Sequence, residues 1–179
     1  MSLLLATLLP GLLLIALGLP LLLKSSRVIS ALSAMPRSAS AAYLLFGVGA
    51  AWFLWNVWHL STADFGEYRT LLAIGFFLVA ALSFKCVPDF LAVRGLCVLI
   101  LLAATPLLAA AYMEYQFPQR LFMVSLVYLF IALAIWLGAS PFRLRDFFEW
   151  LFATASRTRG FGAVLVGYGL LLTMVAFTY

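Results

Sequence analysis

The chain has 179 residues, of which 66% are hydrophobic and 9% charged, with a formal net charge of +5. A soluble domain carries about 25% charged residues, and a chain of this size could not hide so much apolar surface from water. Lipid is the solvent that suits it, and in lipid only helices or closed barrels satisfy every backbone N–H and C=O. Barrel strands would alternate apolar and polar residues, whereas segments such as Leu121–Gly138 are almost entirely apolar. The composition predicts an all-α integral membrane protein, one transmembrane domain over residues 1–179.

A span needs roughly 20 mostly apolar residues. Six segments qualify: about 3–23, 41–60, 70–87, 95–113, 121–139 and 161–179. The first lacks a basic leader and a small-residue cleavage site, so it reads as a retained span rather than a signal peptide. It is interrupted by Pro10 and Pro20, and the fourth by Pro106. The third is the weakest, because Lys85 lies inside its end.

Between the first and second spans, Val28, Ile29, Leu32 and Met35 fall on one helical face. Between the fifth and sixth, Ser140 and Pro141 are good residues to start a helix. Leu144, Phe147, Phe148, Leu151 and Ala155 then recur at helical spacing, and Arg145 and Glu149 form an i,i+4 pair. This predicts an amphipathic helix over about 141–156, lying on a membrane surface.

Orientation follows from the basic residues in alternate loops. The loops after spans one, three and five hold Lys24, Arg27, Arg37, Lys85, Arg94, Arg143, Arg145, Arg157 and Arg159. The other two hold only Arg69 and Arg120, beside Asp64, Glu67 and Glu114. The bias predicts odd-numbered loops in the cytoplasm, facing anionic headgroups, and both termini outside. The chain is expected in a cell membrane, such as a bacterial inner membrane. Nothing calls for nucleic acid.

A faint repeat links two spans. Arg37 is followed ten and twelve residues later by Gly47 and Gly49; Arg157 is followed at the same offsets by Gly167 and Gly169. Chance would also produce such a match, since glycine is frequent in membrane helices.

Chemistry-bearing residues are few. One histidine and two cysteines, Cys86 and Cys97, cannot build a four-ligand metal site or a bis-histidine haem, so no cofactor is expected. The Gly-x-Ser-Gly stretch of an intramembrane serine protease and the aspartate run of a membrane phosphatidyltransferase are both missing. No nucleophile–base pair is visible, which points away from catalysis. Asp89 has Lys85 and Arg94 as possible ion-pair partners at one cytoplasmic turn.

The outer end of the second span is the most unusual stretch. Trp52, Trp55, Asn56 and His59 share one face by the i, i+3, i+4, i+7 rule. Polar groups at membrane depth usually face a partner or a cavity. This face is the candidate ligand-binding site, turned toward other helices, with Glu114 as a partner for His59. The plainer reading is an aromatic belt with one interhelical hydrogen bond.

Two function classes follow. The poverty of chemistry and the many small residues suited to helix contacts favour a non-catalytic subunit or scaffold, with other membrane subunits as partners. The alternative is a small transporter or substrate-binding subunit whose pocket is the second-span face.

Overall fold

A computed structural model describes all 179 residues, which form eight α-helices and no strand. In chain order they are α1 (Leu3–Leu22), α2 (Ser26–Ala34), α3 (Ala39–Trp58), α4 (Arg69–Cys86), α5 (Leu91–Ala111), α6 (Arg120–Ala139), α7 (Phe142–Phe152) and α8 (Ala155–Ala176). Six of these, all except α2 and α7, are long and apolar enough to cross a membrane. Ser2 and Ser38 start α1 and α3, each accepting a hydrogen bond from the backbone N–H three residues on, Leu5 and Ala41. These contacts satisfy donors that a helix start leaves unpaired.

The expected stripe of α2, with Met35 just past its end, is half-buried. Val28, Ile29, Leu32 and Met35 are half-buried, while Arg27, Ser30, Ala31 and Ser33 are exposed. Helix α7 corrects the expected 141–156 helix at its far end. It stops at Phe152, and Ala155 belongs to α8, which therefore starts six residues before the expected 161. The cause lies at Thr154, whose backbone is extended (φ −133°, ψ 138°). The buried Thr158 hydroxyl ties the corner together, within 3.0 Å of the Leu151 carbonyl and 3.2 Å of the Thr154 carbonyl.

The chain packs as two compact units. One comprises Met1–Ser33, Ala103–Leu133 and Arg145–Tyr179; the other comprises Ala34–Leu102 and Ala134–Leu144.

The first unit is built on an antiparallel seam between α1 and α8. Thr7, Gly11, Leu14, Gly18 and Leu21 are buried at alternating steps of four and three. Thr158, Gly162, Gly169, Leu172 and Ala176 repeat the pattern on α8, with Leu165 completing it. Such a repeat keeps one face of each helix against the other. At the four glycines the backbones approach closely. A Cβ on Gly169 would sit 2.7 Å from the Gly11 carbonyl oxygen, and one on Gly162 would sit 2.8 Å from the Leu22 nitrogen. Only glycine fits there.

Ala104, Ala111, Met123, Leu126 and Val127, from the later part of α5 and the earlier part of α6, join Leu3, Leu14 and Leu172 in the core. Polar contacts close one end. The Tyr168 hydroxyl donates to the Phe122 carbonyl (2.9 Å), and Arg120 donates to the Ala111 carbonyl (2.6 Å). The buried Thr7 hydroxyl donates to the Leu3 carbonyl, with the Tyr179 hydroxyl 3.3 Å away.

The second unit packs α3 against the first part of α5 and against α4. Gly95 of α5 lies directly on the α3 backbone at Leu45 and Phe46. Gly49 faces Val98, which a Cβ would approach to 3.2 Å. Aromatic pairs hold α4: Tyr43 stacks on Phe84 at 5.0 Å, and Phe53 meets Phe76 edge-on at 5.0 Å. Yet no residue of α4 is buried.

The two glycine pairs of the sequence repeat behave alike. Gly49 and Gly169 are both close-contact glycines, whereas Gly47 and Gly167 have nothing within 4 Å of an added Cβ.

Candidate functional site

The stretch from Ala51 to His59 ends α3 with three tryptophans, one asparagine and the chain's single histidine. Its rotation is set by the close contact with α5. From Gly49 the inward residues follow at steps of four: Phe53 is half-buried and Val57 is 6% exposed. That setting turns Trp55, Asn56 and His59 out of the unit's core, and all three are exposed. The expectation that these three face other helices is corrected here for Asn56 and His59, whereas Trp55, though exposed, borders α4. Trp52 alone of the four is half-buried.

His59 and Glu114 each have a local polar contact. The Nδ1 atom of His59 lies 2.8 Å from the Trp55 carbonyl of its own helix, and its ring lies 4.4 Å from the Trp55 ring. Glu114 belongs to the other unit and accepts a hydrogen bond from the Gln116 amide at 2.8 Å.

A groove of about 530 Å³ does open at this end of α3, on an adjoining face. Ala51, Leu54, Trp55 and Trp58 line it from α3; Thr70, Ala73, Ile74, Phe77 and Leu78 line it from α4. The α3 stripe has the same i, i+3, i+4, i+7 spacing as the expected one, displaced by one residue. One residue is about 100° of helix rotation, enough to exchange a face with two polar side chains for one with none. Trp55 belongs to both stripes. The groove residues missed from the sequence carried one usable signal, Trp58, three residues after Trp55.

The turn that feeds α4 is tightly built. The Ser61 carbonyl accepts from Asp64 N (3.0 Å) and Gly66 N (2.8 Å), and the Ser61 hydroxyl donates to the Asp64 carboxylate (2.8 Å). A Cβ on Gly66 would lie 2.5 Å from the Ser61 carbonyl oxygen, so the loop closes only around glycine. Phe65 adopts a left-handed conformation with φ 63°. The turn delivers Arg69 over the Trp58 ring, 5.9 Å from its centroid.

Arginine–aromatic stacking recurs. Arg143 lies 4.9 Å from the Trp136 ring centre, Arg157 4.7 Å from that of Trp150, Arg120 4.6 Å from that of Tyr115 and Arg37 5.5 Å from that of Phe90. Ion pairs form only around Arg145. Its guanidinium reaches Asp146 at 2.6 Å and Glu149 at 3.5 Å, so the expected i,i+4 pair exists but the adjacent residue is nearer. The Asp146 hydrogen bond, followed by the charges of Asp146 and Glu149, raises the Arg145 pKa above its usual value. The expected pairing of Asp89 with Lys85 or Arg94 does not form.

Against known protein families, curated proteins and solved structures, the chain has no match.

Proposed function

We propose that this chain is a six-span protein of the cell membrane, with both termini opposite the cytoplasm, acting as a non-catalytic subunit or scaffold of a larger membrane assembly. The observation that carries the proposal is α4. It has 18 residues, is apolar from Leu71 to Leu82 between Arg69 and Lys85 near its ends, and none of its residues is buried within the chain. An apolar helix that its own chain leaves uncovered suits lipid on one side and another subunit on the other. The glycine seam between α1 and α8 supplies the rigid part against which an assembly can form. The uneven distribution of arginine and lysine supports the orientation, and α7 would then lie along the cytoplasmic headgroups, with its Arg143 over Trp136 and its Trp150 beneath Arg157 of α8.

Purification of the full chain in mild detergent tests the subunit reading. Partners recovered at fixed stoichiometry are expected, and a lone chain without them would overturn it. Orientation is read from the exposed Cys86. It should react with an impermeant maleimide only after the cells are permeabilised.

A second reading, a small transporter or substrate-binding subunit, is favoured by the α3–α4 groove. Its pocket would be lined by Trp55 and Trp58 rather than by Asn56 and His59. A small molecule retained by a lone monomer would favour it.

A further inference from the structure

We propose that the groove between α3 and α4 holds one acyl chain of a membrane phospholipid, with the lipid's phosphodiester on Arg69; this rests on the membrane reading above. The groove itself states half of the ligand's chemistry. Apart from Thr70 and the two indole N–H groups, its lining is hydrocarbon: Ala51, Leu54, Ala73, Ile74, Phe77 and Leu78. The groove is an open trough along the protein surface rather than an enclosed cavity. From Thr70 to Leu78 it follows α4 for eight residues, about 12 Å at 1.5 Å per residue. That shape takes a chain, and the lining carries no charged group.

The charged half sits at one end. Arg69 immediately precedes Thr70 and stacks over Trp58, which is itself a wall of the groove. Its guanidinium is exposed and has no carboxylate partner. The nearest acids in sequence do not neutralise it: Asp64 is held by the Ser61 hydroxyl within the turn, and Glu67 forms no ion pair. A guanidinium stays protonated at any working pH, and its planar fork matches two phosphate oxygens. It also stands in the first turn of an 18-residue helix, where the dipole favours an anion. An anionic head at Arg69 and an apolar chain beside Trp55 and Ile74 fit a phospholipid better than a packed helix, which would have no use for the guanidinium.

The test uses the full chain reconstituted in phosphatidylcholine–phosphatidylglycerol vesicles. These carry a trace of phosphatidylglycerol with a photoactivatable diazirine on the acyl chain, and crosslinked peptides are read by mass spectrometry. Label should concentrate on 51–58 and 70–78, several-fold above the equally exposed Leu129 and Ile135 of α6. Arg69→Gln should lower the groove signal several-fold, and Ala73→Phe, which fills the groove, should do the same. Neither should change labelling on α6. Equal labelling of groove and α6, no response to Arg69→Gln, or crosslinking of the groove to a second copy or another protein would each overturn the proposal. If alkaline carbonate strips the chain from the vesicles, the membrane reading itself fails along with it.

Discussion

Helices α1 and α4 are both apolar, both about the length of a bilayer crossing, and both packed against one main neighbour, yet they are finished differently. A third of the α1 span is buried within the chain, and none of the α4 span is. The packing difference lies in where the glycines stand. Helix α1 presents Gly11 and Gly18, seven residues apart, to Gly169 and Gly162 on α8, so the two backbones nearly touch. Helix α4 has one glycine, Gly75, and nothing lies within 4 Å of where its Cβ would be. It is held by ring contacts at Phe76 and Phe84 instead. Where lipid is as apolar as leucine, hydrophobicity cannot drive helices together, and close van der Waals packing must. On that view α1–α8 is finished within this chain, and α4 awaits a neighbour.

The sharpest way to break the comparison is inside α8. Gly169→Leu would drive carbon into the Gly11 carbonyl and Ile15, and should cost at least the ~1–3 kcal/mol typical of overpacking. Gly167→Leu, two residues away and facing open space, should leave the thermal midpoint in detergent nearly unchanged. Equal effects of the two substitutions would mean that the seam does not set stability. The same contrast is expected, more weakly, between Gly49 and Gly47, because Gly49 meets the side chain of Val98 at 3.2 Å rather than backbone.

Thr7→Val probes the end of the seam. It removes a buried hydroxyl from between the Leu3 carbonyl and the Tyr179 hydroxyl without changing shape much. A loss of about 1 kcal/mol is expected, the usual net worth of such a hydrogen bond. Unfolding titrations in mixed detergent would measure it, and no loss would show that Tyr179 does not anchor the seam.

The helices themselves were legible because each is a run of about 20 mostly apolar residues bounded by polar or charged ones, and the α2 stripe was legible because Arg27, Ser30 and Ser33 mark its polar side. The phase of α3 was not. Trp52, Phe53, Leu54 and Trp55 are consecutive and all apolar, so hydrophobicity favours no rotation. The rotation is decided by Gly49 against Val98 and by Gly95 beneath Phe46, contacts made with residues about fifty positions further along the chain. The α7–α8 corner failed for a related reason: Ala155 continues the helical spacing of Leu144, Phe148 and Leu151, and nothing in its apolar side chain reveals that Thr154 turns the backbone.

On α4 the comparison makes a two-part claim. Leu82 is 55% exposed, so Leu82→Ala should shift the stability of the isolated chain by no more than about 0.5 kcal/mol, as surface changes do. The same change should lower recovery of partner subunits during mild purification. If it destabilises the isolated chain instead, α4 is packed more tightly than its exposure implies, and the case for a missing neighbour weakens.

The smallest effect is expected where the sequence looked most functional. Asn56 and His59 are exposed, and the His59 ring is satisfied by the Trp55 carbonyl four residues back. An exposed amide that no other helix engages loses nothing when replaced by a side chain of similar size. Asn56→Leu should therefore stay within about 0.5 kcal/mol of the parent, and in lipid it should be slightly favourable, since it removes a polar group from an apolar setting. His59→Phe keeps the ring beside Trp55 and loses only a hydrogen bond within its own helix. Trp58→Ala, one step round the helix from Val57, instead removes a wall of the groove and the ring beneath Arg69. If Asn56→Leu and His59→Phe alter function more than Trp58→Ala does, the polar face is the working surface and the groove is not.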